Sequence, residues 1–147
     1  PGTMARQFRA KPAAPTSEGP ALPSQLSQWP VQLRLVPPAA AYFKEADLLL
    51  VADCAPFAYA DFHRRFLKGG RPIAVGCPKL DDGEFYVAKL AEIIRQSRIR
   101  SITVARMEVP CCGGLVAIAD AAIRQSGADV PLRTVVIGIQ GDVLREQ

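Results

Sequence analysis

The 147-residue chain contains a single histidine, His63, so a zinc finger with paired cysteines and histidines has no place in it. It lacks an apolar run approaching the roughly 18 residues of a membrane span, and no membrane partner is expected. Its first residues are polar, basic and proline-rich, with no apolar core of a signal peptide, so secretion is not indicated. Neither G-x-G-x-x-G nor a Walker sequence is present, which leaves a nucleotide without its usual fingerprint. The aromatic signature of RNA-binding modules is missing, and nucleic acid is not an expected partner. There is no C-x-x-C pair, no loop with three cysteines close together, and no internal repeat.

What is present points to a folded domain. The chain has one ordinary domain's length and 49% hydrophobic residues, enough to bury a core. The net charge of +4 is modest. The basic residues of 6–11, 64–68 and 95–100 read mainly as solvated faces, and a mild positive balance suits a domain that holds an anionic group or meets an acidic protein. Four cysteines remain. In a reducing, cytoplasmic setting structural disulfides are rare, which leaves catalytic thiols, metal ligands or buried free thiols.

Residues 1–30 carry Pro1, Pro12, Pro15, Pro20, Pro23 and Pro30 among Ser, Ala and Gln, and read as an extended arm or linker. Pro1 in place of Met reads as a fragment start or an expression scar. Residues 31–147 alternate between strand and helix. Strands are expected over 31–36, 48–53, 72–76, 101–106 and 132–139. A short helix or turn is expected over 39–45, and a helix from Pro56 to about Lys68, closed by Gly69-Gly70. Asp81 or Asp82 caps a helix to about Ser97 with Tyr86, Leu90, Ile93 and Ile94 on one stripe. The last helix runs from Cys112 to Ser126 and stops at Gly127. Such alternation predicts a parallel sheet covered by helices, with right-handed crossovers.

Every cysteine falls where one of these strands runs out. Cys54 follows 48–53, Cys77 follows 72–76, and Cys111 and Cys112 follow 101–106 after a brief loop. Parallel neighbours would place all four sulfurs at the carboxyl edge of the sheet, where open α/β sheets bind ligands. Four thiolates in one place read as a metal or cluster site. Helix amino ends near Cys54, Cys77, Cys111 and Cys112 would favour thiolates. Neighbouring side chains diverge in an extended chain, so Cys111 and Cys112 need a turn to act together; otherwise only one is a ligand. Buried free cysteines are the plain alternative.

Lys79 and Arg106 are candidates to neutralise an anionic cluster, although capping and solvation account for most charges at these strand ends, Asp53, Asp81, Asp82 and Glu108 included. His63, one turn into its helix after Cys54, is a candidate ligand or proton donor, against a surface position beside Arg64-Arg65. Gly113-Gly114 would let an anion or cluster approach the backbone closely. Trp29 and Tyr42 read as packing residues.

Residues 26–37 (LSQWPVQLRLVP), 46–67 (ADLLLVADCAPFAYADFHRRFL), 76–82 (GCPKLDD) and 101–115 (SITVARMEVPCCGGL) resemble the C-terminal domain of ferredoxin-type 4Fe-4S iron–sulfur proteins of anaerobic bacteria. In that family a dicluster ferredoxin module comes first. Residues 1–9 (PGTMARQFR) are similar to the segment that follows a cysteine there, and these 147 residues do not include the module. The resemblance implies association with iron–sulfur chemistry.

The expected fold is a three-layer α/β sandwich with a mainly parallel sheet of about five strands, Rossmann-like or flavodoxin-like. The expected function is electron transfer through a [4Fe-4S] cluster held by Cys54, Cys77, Cys111 and Cys112, with Lys79, Arg106, Gly113 and His63 around it. A ferredoxin module and a redox protein are the expected partners. A [2Fe-2S] cluster or zinc are variants. A thiol-redox or zinc enzyme using the same cysteines, or a cofactor-free interaction module docking through the basic proline-rich arm, are the rivals.

Overall fold

Leu48, Leu49, Leu50 and Val51 are fully buried, as a strand covered on both faces requires. They form β1 (Asp47–Ala52) at the centre of a computed structural model that describes residues 5–12 and 19–147. The other strands are β2 (Ile73–Gly76), β3 (Ser101–Met107), β4 (Leu132–Ile137) and β5 (Val143–Glu146). Their order is β2-β1-β3-β4-β5. The first four are mutually parallel, and β5 runs antiparallel against β4.

Between β1 and β2 the chain forms α1 (Ala55–Ala58) and α2 (Phe62–Phe66). The single helix expected from Pro56 to Lys68 is therefore broken: Tyr59 takes an extended conformation and ends α1 after one turn. Phe62 and Phe66 still bury, with ring centroids 5.0 Å apart, and Gly69 and Gly70 leave α2 at φ values of 79° and 75°. The other two helices are α3 (Gly83–Ser97) and α4 (Gly113–Ser126), which pack against each other. Asp82 caps α3, accepting from the backbone N–H groups of Glu84 at 2.9 Å and Phe85 at 3.4 Å. The predicted stripe of Tyr86, Leu90, Ile93 and Ile94 is buried. Gly127 ends α4 in the left-handed region at φ 73°. Right-handed crossovers put α1 and α2 on one face and α3 and α4 on the other, because the chain steps one way from β1 to β2 and the opposite way afterwards.

Pro1 and Pro15 lie outside the described residues. The described part of the arm holds no helix or strand, yet it is more than a linker. The strand expected over 31–36 shrinks to one parallel bridge, Gln32 to Val75, because the chain turns at once: Leu35 and Val36 N–H both donate to the Gln32 carbonyl. Just before it, the Gln28 amide accepts from Ile73 N–H (2.7 Å) and donates to the Ile73 carbonyl (2.9 Å). One side chain thus does for the edge of β2 what a neighbouring strand would do. β5 was not among the expected strands, and the last predicted strand stops at Ile137, not Ile139.

A polar lock holds the amino edge of the sheet. Asp47 accepts from Arg100 Nη2 at 2.7 Å and from Ser101 Oγ at 2.6 Å, while Arg71 donates to the Asp47 carbonyl and to Thr103 Oγ1. The Arg100 and Ser101 hydrogen bonds lower the Asp47 pKa from its ordinary 3.8 to about 2. A depressed carboxylate stabilises the fold above its unfolded pKa and loses that contribution as pH falls through the folded one. Asp47→Asn is therefore expected to be less stable than the wild type at neutral pH, with the difference closing between pH 3.8 and about 2. Urea unfolding followed by circular dichroism across that range checks this, and a constant difference would contradict it.

Candidate functional site

The winding reverses between β1 and β3, and the space above that reversal is where doubly wound sheets bind ligands. Ala52, Asp53 and Cys54 enter it from the end of β1, Cys77 from β2, and Met107, Val109, Cys111 and Cys112 from β3; Ile139 closes it beyond β4. Together they line a cavity of about 210 Å³. All four cysteines are free thiols, with Cys54 exposed, Cys77 and Cys111 half-buried and Cys112 buried.

Local chemistry brings each one there. The ladder extends past β1 through Asp53 N–H to the Gly76 carbonyl at 3.2 Å, which sets Cys54 and Cys77 on adjacent loops. Tyr86 of α3 lies beneath the second loop: its hydroxyl accepts from Cys77 N–H at 3.3 Å, and a Cβ at Gly76 would meet its ring at 2.8 Å. Only glycine lets the strand end rest on that ring. Pro110–Cys112 forms a single 3-10 turn, which brings both adjacent sulfurs round to the same cavity. Gly114 allows α4 to approach the Cys77 loop, since a Cβ there would stand 3.1 Å from Pro78 Cβ. Glu108 Oε1 accepts from Ile139 N–H at 3.1 Å and ties the β4 side of the wall to the end of β3.

Two of the four thiols, Cys54 and Cys112, are disfavoured as bare anions. Burial, then the nearby Cys77, Asp53 and Cys111, push the Cys54 thiol up. Burial pushes Cys112 up as well, offset in part by a backbone hydrogen bond from Met107 and reinforced by Cys111 and Cys54. The helix ends are weaker than expected here: α1 is one turn long, and a turn separates Cys77 from α3. Only α4 offers a full-length helix start, with Cys112 at its cap position.

The residues expected around the cysteines divide. Lys79 is exposed and does not line the cavity. Arg106 donates to the Met107 carbonyl at 3.1 Å, and its side chain is not part of the wall; Met107 next to it is. Gly113 is not in the wall, and a Cβ there would meet nothing within 4 Å, so of the two glycines Gly114 is the one with a close packing neighbour. His63 lies elsewhere: its Nδ1 accepts from Gln25 N–H at 3.1 Å, fastening the arm to α2. Among the described residues, no three His, Cys, Asp or Glu side chains stand ready around a single metal ion. Sequence reasoning did not find Tyr86 or Gly76 as parts of the site; both looked like core and strand residues, and only their contact gives them this role.

Comparison with known proteins agrees with the winding. Residues 40–147 match the model of the Rossmann-like domain family. The chain belongs to that family. An uncharacterized protein of Archaeoglobus fulgidus is 29% identical over 119 residues, spanning 81% of this chain and 83% of its own length. No solved structure matches. In this Rossmann-like domain the first strand-to-helix turn carries Asp53, Cys54, Ala55 and Pro56 where dinucleotide binders carry glycines for a pyrophosphate. No helix among the described residues is long and apolar enough to cross a membrane.

Replacing Gly76 with Ala forces its new methyl into the Tyr86 ring. The expected cost is about 1–3 kcal/mol in urea unfolding. Tyr86→Phe, which leaves the Cys77 N–H without its acceptor, should cost about 1–2 kcal/mol. Wild-type stability in both variants would remove Tyr86 from the support of the Cys77 loop.

Proposed function

We propose that the four-cysteine cavity holds an iron–sulfur cluster, a [4Fe-4S] centre in first place and [2Fe-2S] as its variant, and that the domain relays electrons between a ferredoxin module and a redox partner in a reducing cytoplasm. The observation that carries this reading is that Cys54, Cys77, Cys111 and Cys112, from three different strand ends, line one cavity. The donor set fits the group: four sulfurs are what a cluster takes from a protein. The remaining wall is largely apolar, with Ala52, Met107, Val109 and Ile139, which would limit water and help set a potential.

When bound, the cluster supplies one-electron storage. The chain's own residues do the rest. The cysteines bind as thiolates, and since Cys54 and Cys112 are pushed up by burial and by their neighbours, a bound cation has to offset their repulsion. Tyr86 orients Cys77 through its backbone, and the 3-10 turn orients Cys111 and Cys112. The raised Cys112 thiol disfavours that residue as the low-pKa nucleophile of the thiol-enzyme reading. A single zinc would need its sulfurs about 3.8 Å apart, the spacing that bonds of ~2.3 Å give in a tetrahedron.

Protein purified or reconstituted without oxygen should be brown, carry iron and sulfide, and bleach on reduction. Single Cys54→Ser, Cys77→Ser, Cys111→Ser and Cys112→Ser variants should each lose iron. Iron loading should strengthen as pH rises, because the raised thiols must release protons. One equivalent of zinc in a colourless protein would move the assignment to the zinc variant. A metal-free protein with unchanged thiols would end it.

A further inference from the structure

Two further cavities lie side by side between the arm and α2, and none of the four cysteines lines either. The first measures about 430 Å³ and has a largely apolar wall, with Leu26, Trp29, Phe57, Phe62 and Leu67 in it. The second measures about 320 Å³ and is walled by Leu22, Pro23, Gln25, His63, Arg64 and Lys68. Both volumes fall in the range of about 300–1,000 Å³ typical of small-molecule sites.

His63 lines both cavities, so they share a wall. The periodicity of α2 and its cap explains the pairing. His63 and Leu67, four apart, meet the first cavity, and Arg64 and Lys68, the same spacing one residue on, meet the second. Gln25 N–H, bonded to His63 Nδ1 at 3.1 Å, fastens the arm to the shared wall.

Charge is segregated between the two. The first cavity has one carboxylate in its wall, Asp53, and no lysine or arginine. The second has two bases and no acid. Arg64 gives its Nε to Asp61 at 2.8 Å, and its Nη groups have no partner among the described residues. Lys68 forms no ion pair among the described residues. The apolar lining is also left in water: Trp29, expected to pack in the interior, is 78% exposed, and Phe57 is 92% exposed. Large apolar side chains beside an apolar cavity gain by being covered.

A wholly apolar ligand would leave Arg64 and Lys68 facing nothing. A small inorganic anion would leave the apolar wall wet. A cation is repelled by the two bases. A molecule with an apolar part and an anionic end uses both cavities, and Asp53 turns the anionic end away from the first. We propose that the paired cavities bind an amphiphilic anion, of which a fatty carboxylate is the simplest, with its chain in the first cavity against Trp29 and Phe57 and its head in the second beside Arg64 and Lys68. The binding stands independently of the cluster.

Trp29 is the chain's single tryptophan and walls the first cavity, so its emission reports on the bound chain. Decanoate titrated into the full protein should shift that emission to the blue, saturably, as the ring is covered. Octanoate, two methylenes shorter, should bind about tenfold more weakly. Decanol, with the same chain and no charge, should bind about fivefold more weakly than decanoate. In the double variant Arg64→Gln, Lys68→Gln, decanoate and decanol should bind alike while octanoate keeps its deficit. Phe57→Ala should weaken decanoate and decanol together. Equal binding of decanoate and decanol by the wild type would overturn the proposal, and so would a shift to the red, the mark of unfolding by a detergent. A blue shift on phosphatidylglycerol vesicles with none on decanoate would overturn it in favour of a lipid surface. Should the double variant fail to fold, the wild-type comparison of decanoate with decanol decides alone.

Discussion

Parallel pairing of β1 with β3 is the constraint on which the rest of the molecule depends. β1 is flanked by β2 on one side and β3 on the other, yet β2 and β3 follow each other in the chain. The connection must therefore cross over β1, and the loops leaving β1 and β3 diverge to opposite faces. Their divergence opens a crevice at the carboxyl edge. The register from Asp47–Ser101 to Val51–Ala105 brings both strands to that edge together. The Asp47, Arg100, Ser101, Arg71 and Thr103 contacts fasten the opposite edge. A slip in the pairing would dismantle the lock and the cysteine cavity at once.

Within the crevice, two opposing demands meet. Thiols must come close enough to share one cavity, and closeness makes them resist ionisation together. Cys54 and Cys112 both carry the mark of this, raised by burial first and by other thiols after it. Short-range packing forces the approach. Gly76 against Tyr86 and Gly114 against Pro78 are contacts that a single added methyl would crowd, and each flanks a cysteine loop. The fold thus spends packing on assembling a group of side chains that has no mutual attraction as bare thiolates. Such an arrangement makes sense where something positively charged completes it.

Much of this was readable in advance because the buried strands are apolar runs and the helices carry clean stripes. Leu48 to Val51, the Tyr86–Ile94 stripe and the Asp82 cap depend on local pattern, and local pattern identified them. The position of the cysteines followed from strand ends alone. The errors arose where tertiary contacts override pattern. Residues 31–36 look like a strand, but a turn at Gln32 leaves one bridge. β5 is short, exposed and charged, as an edge strand is, and has no apolar run to mark it. His63 has helical spacing from Cys54, but the break at Tyr59 changes the geometry that spacing assumed. Lys79 and Gly113 neighbour the cysteines in sequence, and the turns that follow carry them out of the wall.

The arm connects these pieces. An edge strand as short as β2 exposes unpaired backbone groups, and Gln28, Val31 and Leu33 satisfy those of Ile73 and Val75. Covering that edge holds residues 25–33 against the sheet. Ser27 Oγ then donates to the Gly70 carbonyl at 2.9 Å, and Gln25 fixes the His63 tautomer. Trp29 lies between these anchors, so its exposed position follows from edge protection and does not need a core to hold it. One set of contacts thereby covers the edge of the sheet and forms one wall of the cavity of about 430 Å³ that Trp29, Phe57, Phe62 and Leu67 help to line. A proline-rich segment suits that task, because it stays extended and has few donors of its own that would need other partners.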